Sequence, residues 1–310
     1  MTITAVTGFY DVGRGGYDNR TPDQYVAWLN QTLQAPLPFI IFLDPAFDAS
    51  AVRPKRGDRI IRVTKDELTM FGHRSRIEEI VEGSEAVNRR DIAFNLVEYG
   101  MIVMSKPELL KRAARETDAE FLLWVDAGLC RFMPDLKGKT VSVMPSELEG
   151  MRISLNTTWH LAQRMRIGKF PRKMVGRTLA MMSAGDLIVR RDFAEEFSDR
   201  LEFLVEREWL PAGLWDNEQV AIGNLLFRGG LPGARVLRTD VGGGGNTVRW
   251  LFGAPPYPSR TPLYVRWRLL LDEFRTRLAP AHECYLRGDF PEAEFRAWQE
   301  QKRLYGSASH

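Results

Sequence analysis

The chain has 310 residues, 44% hydrophobic and 27% charged, with 26 glycines and 17 prolines, the make-up of a folded globular protein and not of a disordered, collagenous or disulfide-built one. Its 43 Lys and Arg against 40 Asp and Glu leave a formal charge of +3, so net charge makes no case for a nucleic-acid partner. Two cysteines, Cys130 and Cys284, lie outside any CxxC pattern, and no apolar stretch approaches a bilayer span, so a soluble protein of a reducing compartment is expected.

Residues 3–10, rich in Thr, Val, Ile and aromatics, predict a strand that breaks into the glycine-rich loop Asp11-Val12-Gly13-Arg14-Gly15-Gly16. Thr21-Pro22 opens a helix with Tyr25, Trp28, Leu29 and Leu33 at helical spacing. The unbroken apolar run from Pro38 to Leu43, closed by Asp44, suits a strand buried on both faces of a parallel sheet. A further strand is expected at 58–64 and interrupted helix over 67–104. Ser105-Lys106-Pro107-Glu108 reads as a capping box with proline in the first turn, opening a helix whose Leu109, Leu110, Ala113 and Ala114 share a face. That helix runs into the strand FLLWVDAG at 121–128.

Beyond it, strands are predicted at 140–144, 179–190 and 234–239, with helices near 192–208 and 216–227. Alternation of the two kinds predicts an α/β domain over residues 1–255, its mainly parallel sheet covered on both faces. From Pro255 the texture changes. Leu263, Trp267, Leu270, Leu271, Phe274 and Leu278 form one helical stripe, and a second helix is expected at 291–304, so residues 256–310 read as a helical C-terminal extension. The stripe is expected to pack on the main domain, with a dimer seam or a peripheral membrane contact as the other covers.

An apolar strand ending in an acid puts Asp126 at the carboxyl edge of the sheet, where open α/β folds bind ligands, although a turn cap with Gly128 explains it too. No second acid completes a DxD pattern. Asp44 is either a ligand acceptor or a turn acid. Lys106, in the first turn of its helix, is placed to meet phosphate or is simply exposed. The small-residue break Ser183-Ala184-Gly185-Asp186 inside an apolar run suits close approach of a ligand to backbone, or a bulge. Trp215-Asp216-Asn217-Glu218-Gln219 opens a helix and presents acids that could take a proton from an acceptor hydroxyl, Glu218 first, Asp216 doubling as an N-cap. Asp240 and the four glycines Gly242 to Gly245 close the last strand, and the four histidines have no paired metal spacing.

Three segments, TGFYDVGRGGY at 7–17, EYGMIVMSKPELLKRAARE at 98–116 and LLWVDAGL at 122–129, together resemble the HtrL/YibB (WlaTC-type) family of bacterial proteins, a family tied to glycosyl transfer. The resemblance implies a GT-A-like fold, a nucleotide-sugar donor, and a glycan or lipid-linked glycan acceptor in cell-surface polysaccharide or lipopolysaccharide assembly. It places Thr7, Gly8, Phe9 and Tyr10 against base and ribose, and Arg14 with its loop amides and Lys106 against diphosphate. Gly185 and Asp186 fall beside the donor sugar, Glu218 or Asp216 is the base, and Asp126 with Asp240 would ligate Mn²⁺ or Mg²⁺. A cytoplasmic setting is expected, with a peripheral place at the inner membrane as the open alternative. A nucleotidyltransferase or a non-catalytic sugar-binding protein on the same fold stays open.

Overall fold

The structure is a computed structural model that describes residues 1–83, 91–136, 138–157, 169–171, 182–238, 245–255, 284–287 and 289–305. Ten strands lie among them: β1 (Ile3–Phe9), β2 (Phe39–Leu43), β3 (Arg59–Arg62), β4 (Phe121–Val125), β5 (Ile153–Thr157), β6 (Lys169–Pro171), β7 (Met182–Ser183), β8 (Asp186–Arg190), β9 (Ala234–Arg238) and β10 (Cys284–Arg287). The main sheet begins β3-β2-β1-β4, all parallel. β8 then pairs antiparallel with β4, and β5 lies against β7, β8 and β9, parallel only to β9. β6 and β10 form a separate antiparallel ribbon.

Period-two alternation sorts the apolar strand residues into two layers. Val6, Leu122 and Trp124 face Met101, Leu109, Leu110 and Phe197 on one side of the sheet. Ala5, Ile41 and Leu123 face Leu29, Leu33, Val248 and Leu251 on the other. Every residue of β2 and of β4 is buried, which is why FIIFL and FLLWV show no polar alternation. The expected α/β architecture, a sheet parallel in its core with helices on both faces, is the one observed.

The helix expected at 291–304 runs from Glu292 to Tyr305 and belongs to the first core layer: Phe295 is fully buried, with ring centroids 5.7 Å from Phe203 and 5.6 Å from Phe290. Arg200, 1% exposed, ties it down by bridging Glu196 and Glu292. The stripe from Leu263 to Leu278 lies outside the described residues, as do Asp240 and Gly242 to Gly244.

Three local expectations differ. No strand forms at 140–144, where Ser142 N donates to Leu251 O at the end of the Asn246–Leu251 helix instead of to a neighbouring strand. The strand over 179–190 is split, β7 and β8 being parted by Ala184-Gly185. The box at Ser105 is absent because the Val97–Met104 helix leads directly into Lys106–Ala113. Ser105 keeps helical backbone angles, its hydroxyl donates to Met101 O, and Glu108 instead accepts from Thr69 N and Arg112.

Candidate active site

A cleft of about 460 Å³ opens where β1 and β4 end. Gly8, Phe9 and Tyr10 wall one side and Asp126, Ala127 and Gly128 another, while the two consecutive helices contribute Tyr99 and Lys106. Phe9 continues into an aromatic wall, stacking on Tyr25 at 5.8 Å, and Tyr25 meets Trp28 edge-on at 5.2 Å.

At the floor of the cleft Lys106 is almost completely enclosed. Its Nζ lies 2.7 Å from Glu218 Oε1, 2.9 Å from Asp126 Oδ1 and 3.1 Å from Ala184 O. An ammonium has three hydrogens to donate, and here each has an acceptor. The indole of Trp124 lies 5.8 Å from the same Nζ and donates its Nε1–H to Asp126 Oδ1 at 2.7 Å. Burial opposes the lysine's charge, but the carboxylates of Asp126 and Glu218 outweigh it and hold the ammonium well above the ordinary lysine range. Glu218 is pushed up by burial, with Lys106 only partly offsetting the shift.

This arrangement revises two expected roles. Lys106 is not an open cation at a helix start: it joins three elements, and its hydrogens are engaged within the protein. Glu218 does not face the cleft as an open acid, because its side chain is 3% exposed and sits behind the ammonium. Asp126, with its side chain 41% exposed, is the most open of the three and the carboxylate among them that lines the cleft. Its backbone N–H donates to Gly185 O, so the break between β7 and β8 abuts the same spot, and Gly185 lines the cleft.

The remaining candidates divide. Asp186 is fully buried and is not a wall of the cleft: Oδ1 accepts from Gly245 N and Oδ2 from Val248 N, at the start of the Asn246–Leu251 helix. Burial pushes its carboxyl up to about 6 in spite of those amides. Asp216 is fully buried too, and the N-cap falls one residue later than expected, at Asn217, which accepts from Gln219 N and Val220 N. Trp215 is a core residue at 1% exposure, and Thr7 is wholly buried and is not a wall of the cleft. Asp44 Oδ1 accepts from Ala46 N, as a turn acid does.

Arg14 lines the cleft with Nε and Nη2 on Asp18 Oδ2, its guanidinium 4.9 Å from the Tyr99 ring. Part of the loop's amides are engaged within it: Gly13 N donates to Asp11 Oδ1, and Gly16 N and Tyr17 N donate to Gly13 O and Arg14 O. Among the described residues no group of three His, Cys, Asp or Glu could hold a metal ion, and Asp126 already shares its Oδ1 with Lys106 and Trp124. The partner ligand expected at Asp240 lies outside the described residues.

Sequence reasoning missed Trp28, Tyr99 and Arg131 as parts of this region. Tyr99 sits inside one of the quoted segments, and Arg131 lies one helical turn past Gly128, a spacing that signals proximity only once the turn is known to be helical.

The sheet and its cleft define an α/β protein with a cleft at the carboxyl edge of a parallel strand block. The chain belongs to the HtrL/YibB family, whose model, described as a bacterial protein of unknown function, matches residues 1–165. No curated protein matches it. Among solved structures, it is similar to a glycosyltransferase involved in the glycosylation of the major capsid of PBCV-1, at 10% identity and TM-score 0.38 over 90% of this chain and 100% of that one. It is similar to a CMP:2-keto-3-deoxy-manno-octonic acid synthetase complexed with CTP, also at 10% identity and TM-score 0.38, over 88% of this chain and 100% of that one. Likenesses that distant say nothing of the chemistry here.

Proposed function

We propose that the protein is a glycosyltransferase that takes a sugar from a nucleotide-sugar donor bound in this cleft and passes it to a glycan or lipid-linked glycan acceptor of the cell surface. The observation that carries the reading is the Asp126 carboxylate, fixed by Lys106 and Trp124 at the end of β4 and open to the cleft. Gly8, Phe9 and Tyr10 form the wall for base and ribose. Asp126 accepts the hydrogen of a substrate hydroxyl through the oxygen that Lys106 and Trp124 leave open, and Glu218 acts behind it by positioning Lys106. In the transfer, an acceptor oxygen bonds to the anomeric carbon as the bond from that carbon to the donor's diphosphate breaks. The nucleoside diphosphate leaves with the electron pair, and the acceptor's proton is taken up by a base.

Two features favour this reading over its rivals. A nucleotidyltransferase must cradle a triphosphate, and the loop after β1 carries Arg14 but no lysine, with the Gly13 and Gly16 amides engaged within the loop. Against a passive sugar-binding protein, the enclosed ammonium between two acids fixes in place the carboxylate of the three that is open to the cleft, as a reacting group requires. Among the described residues no helix is long and apolar enough to cross a membrane. Nucleoside diphosphate release from a panel of UDP-, GDP-, ADP- and CMP-linked sugars tests the proposal: release from one donor supports it, whereas tight binding of a sugar without turnover of any donor supports the passive alternative.

A further inference from the structure

Four cationic side chains line the cleft: Lys106, Arg14, Arg20 and Arg131. Three of them are already paired with carboxylates. Lys106 faces two carboxylates, so that cluster is no attractor for an anion. Arg14 and Arg20 share Asp18, with Arg14 Nη2 at 2.9 Å and Arg20 Nε at 3.3 Å from the same Oδ2.

Arg131 differs. It ends the short turn Leu129–Arg131 that follows Asp126, and it is exposed. Its Nε donates to Gly128 O at 2.9 Å, while the guanidinium lies 4.4 Å from the Trp28 ring centroid and 5.3 Å from that of Phe132. Among the described residues neither terminal nitrogen has an acceptor or an ion-pair partner. The side chain is thus held by its inner nitrogen and by the ring, and the outer edge of the fork is left open. Gly128 makes the pose feasible, since a Cβ there would come within 3.2 Å of Arg131 Nη2 and 3.4 Å of Trp28. A planar guanidinium with both terminal N–H groups available matches two oxygens of a phosphate, and fixing it beforehand reduces the ordering cost of binding.

We infer that Arg131, stacked on Trp28 and anchored to Gly128, binds the diphosphate of the ligand in this cleft, the role that sequence reasoning gave to Lys106 and Arg14. The inference rests on the nucleotide-sugar reading above and names the residue by which the donor's charge is recognised.

Calorimetric titration of the wild type, Arg131→Ala and Arg131→Lys tests it, with UDP, GDP, ADP and CDP each set beside its nucleoside, and with inorganic pyrophosphate as the base-free probe. Arg131→Ala is expected to weaken the preferred nucleoside diphosphate and pyrophosphate by about tenfold or more and to leave the nucleoside nearly unchanged, with lysine restoring part of the loss. Gly128→Ala, which crowds the guanidinium without removing it, is expected to act in the same direction. Equal nucleoside diphosphate affinity in the wild type and Arg131→Ala would overturn the role of Arg131 and leave the donor reading standing, and an equal loss for nucleoside and diphosphate would overturn it as merely structural. Arg131-dependent binding of pyrophosphate with no binding of any nucleotide or nucleoside would support the anion site and remove the donor reading. No binding of any probe would overturn both.

Discussion

Lys106 and Glu218, 112 positions apart in the chain, meet in a 2.7 Å ion pair with both side chains almost wholly enclosed. Through it the Lys106–Ala113 helix, the Glu218–Phe227 helix and the end of β4 are fixed to one another beside the cleft. Removing one partner of such a pair leaves an uncompensated buried charge.

Lys106→Met is therefore expected to destabilise the fold by about 3–5 kcal/mol, read from the midpoint of urea unfolding. Wild-type stability in this variant would mean that the two acids are not held by the ammonium.

Glu218→Gln keeps the shape and an acceptor for Lys106, so the fold and donor binding are expected to survive with turnover only moderately reduced. Complete loss of turnover together with loss of the acid limb of the pH–rate profile would restore Glu218 as the base.

Asp186→Asn replaces one of two accepting oxygens by a donor facing a backbone N–H, at a site with no exposure. A destabilisation of about 1–3 kcal/mol is expected, with donor affinity of the folded protein unchanged. A selective loss of donor affinity in a stable variant would place Asp186 at the sugar after all.

Glu202 predicts a pH dependence. Burial pushes its carboxyl from 4.5 up to about 7, with Lys302 opposing the shift and Glu206 and Asp199 adding to it. The folded state holds this proton more tightly than the unfolded one, so the group's contribution to stability is complete below pH 4.5 and is lost as pH rises through about 7. The slope is at most about 1.4 kcal/mol per pH unit. Glu202→Gln should flatten the unfolding midpoint over this window relative to the wild type, and an unchanged slope would assign the titration elsewhere.

How much of this was legible in the sequence depended on whether the signal was local. FIIFL and FLLWV declare buried strands by themselves, and the Asp126 that ends the second one was placed at the ligand edge from that fact alone. The interruption at Ala184-Gly185 lies against the same residue, since Gly185 O accepts from Asp126 N. Ser105 to Glu108 misled because its spacing fits a cap only where the chain enters from outside a helix, and here a helix precedes it. The exposure of Lys106 and Glu218 was misjudged for a different reason: their burial follows from pairing across 112 residues, which no window of sequence contains. Asp186 is similar, because its amide partners Gly245 and Val248 lie about 60 residues on.

The most direct measurement is nucleoside diphosphate release from the panel of nucleotide sugars by the wild type and by Asp126→Asn, with folding of the variant checked by its unfolding midpoint. Release by the wild type from one donor, falling at least about a hundredfold in a folded Asp126→Asn protein that still binds that donor, is the predicted result. Equal release by both proteins would contradict the assignment of the cleft-facing carboxylate to the reaction, and the absence of release from every donor would contradict glycosyl transfer itself.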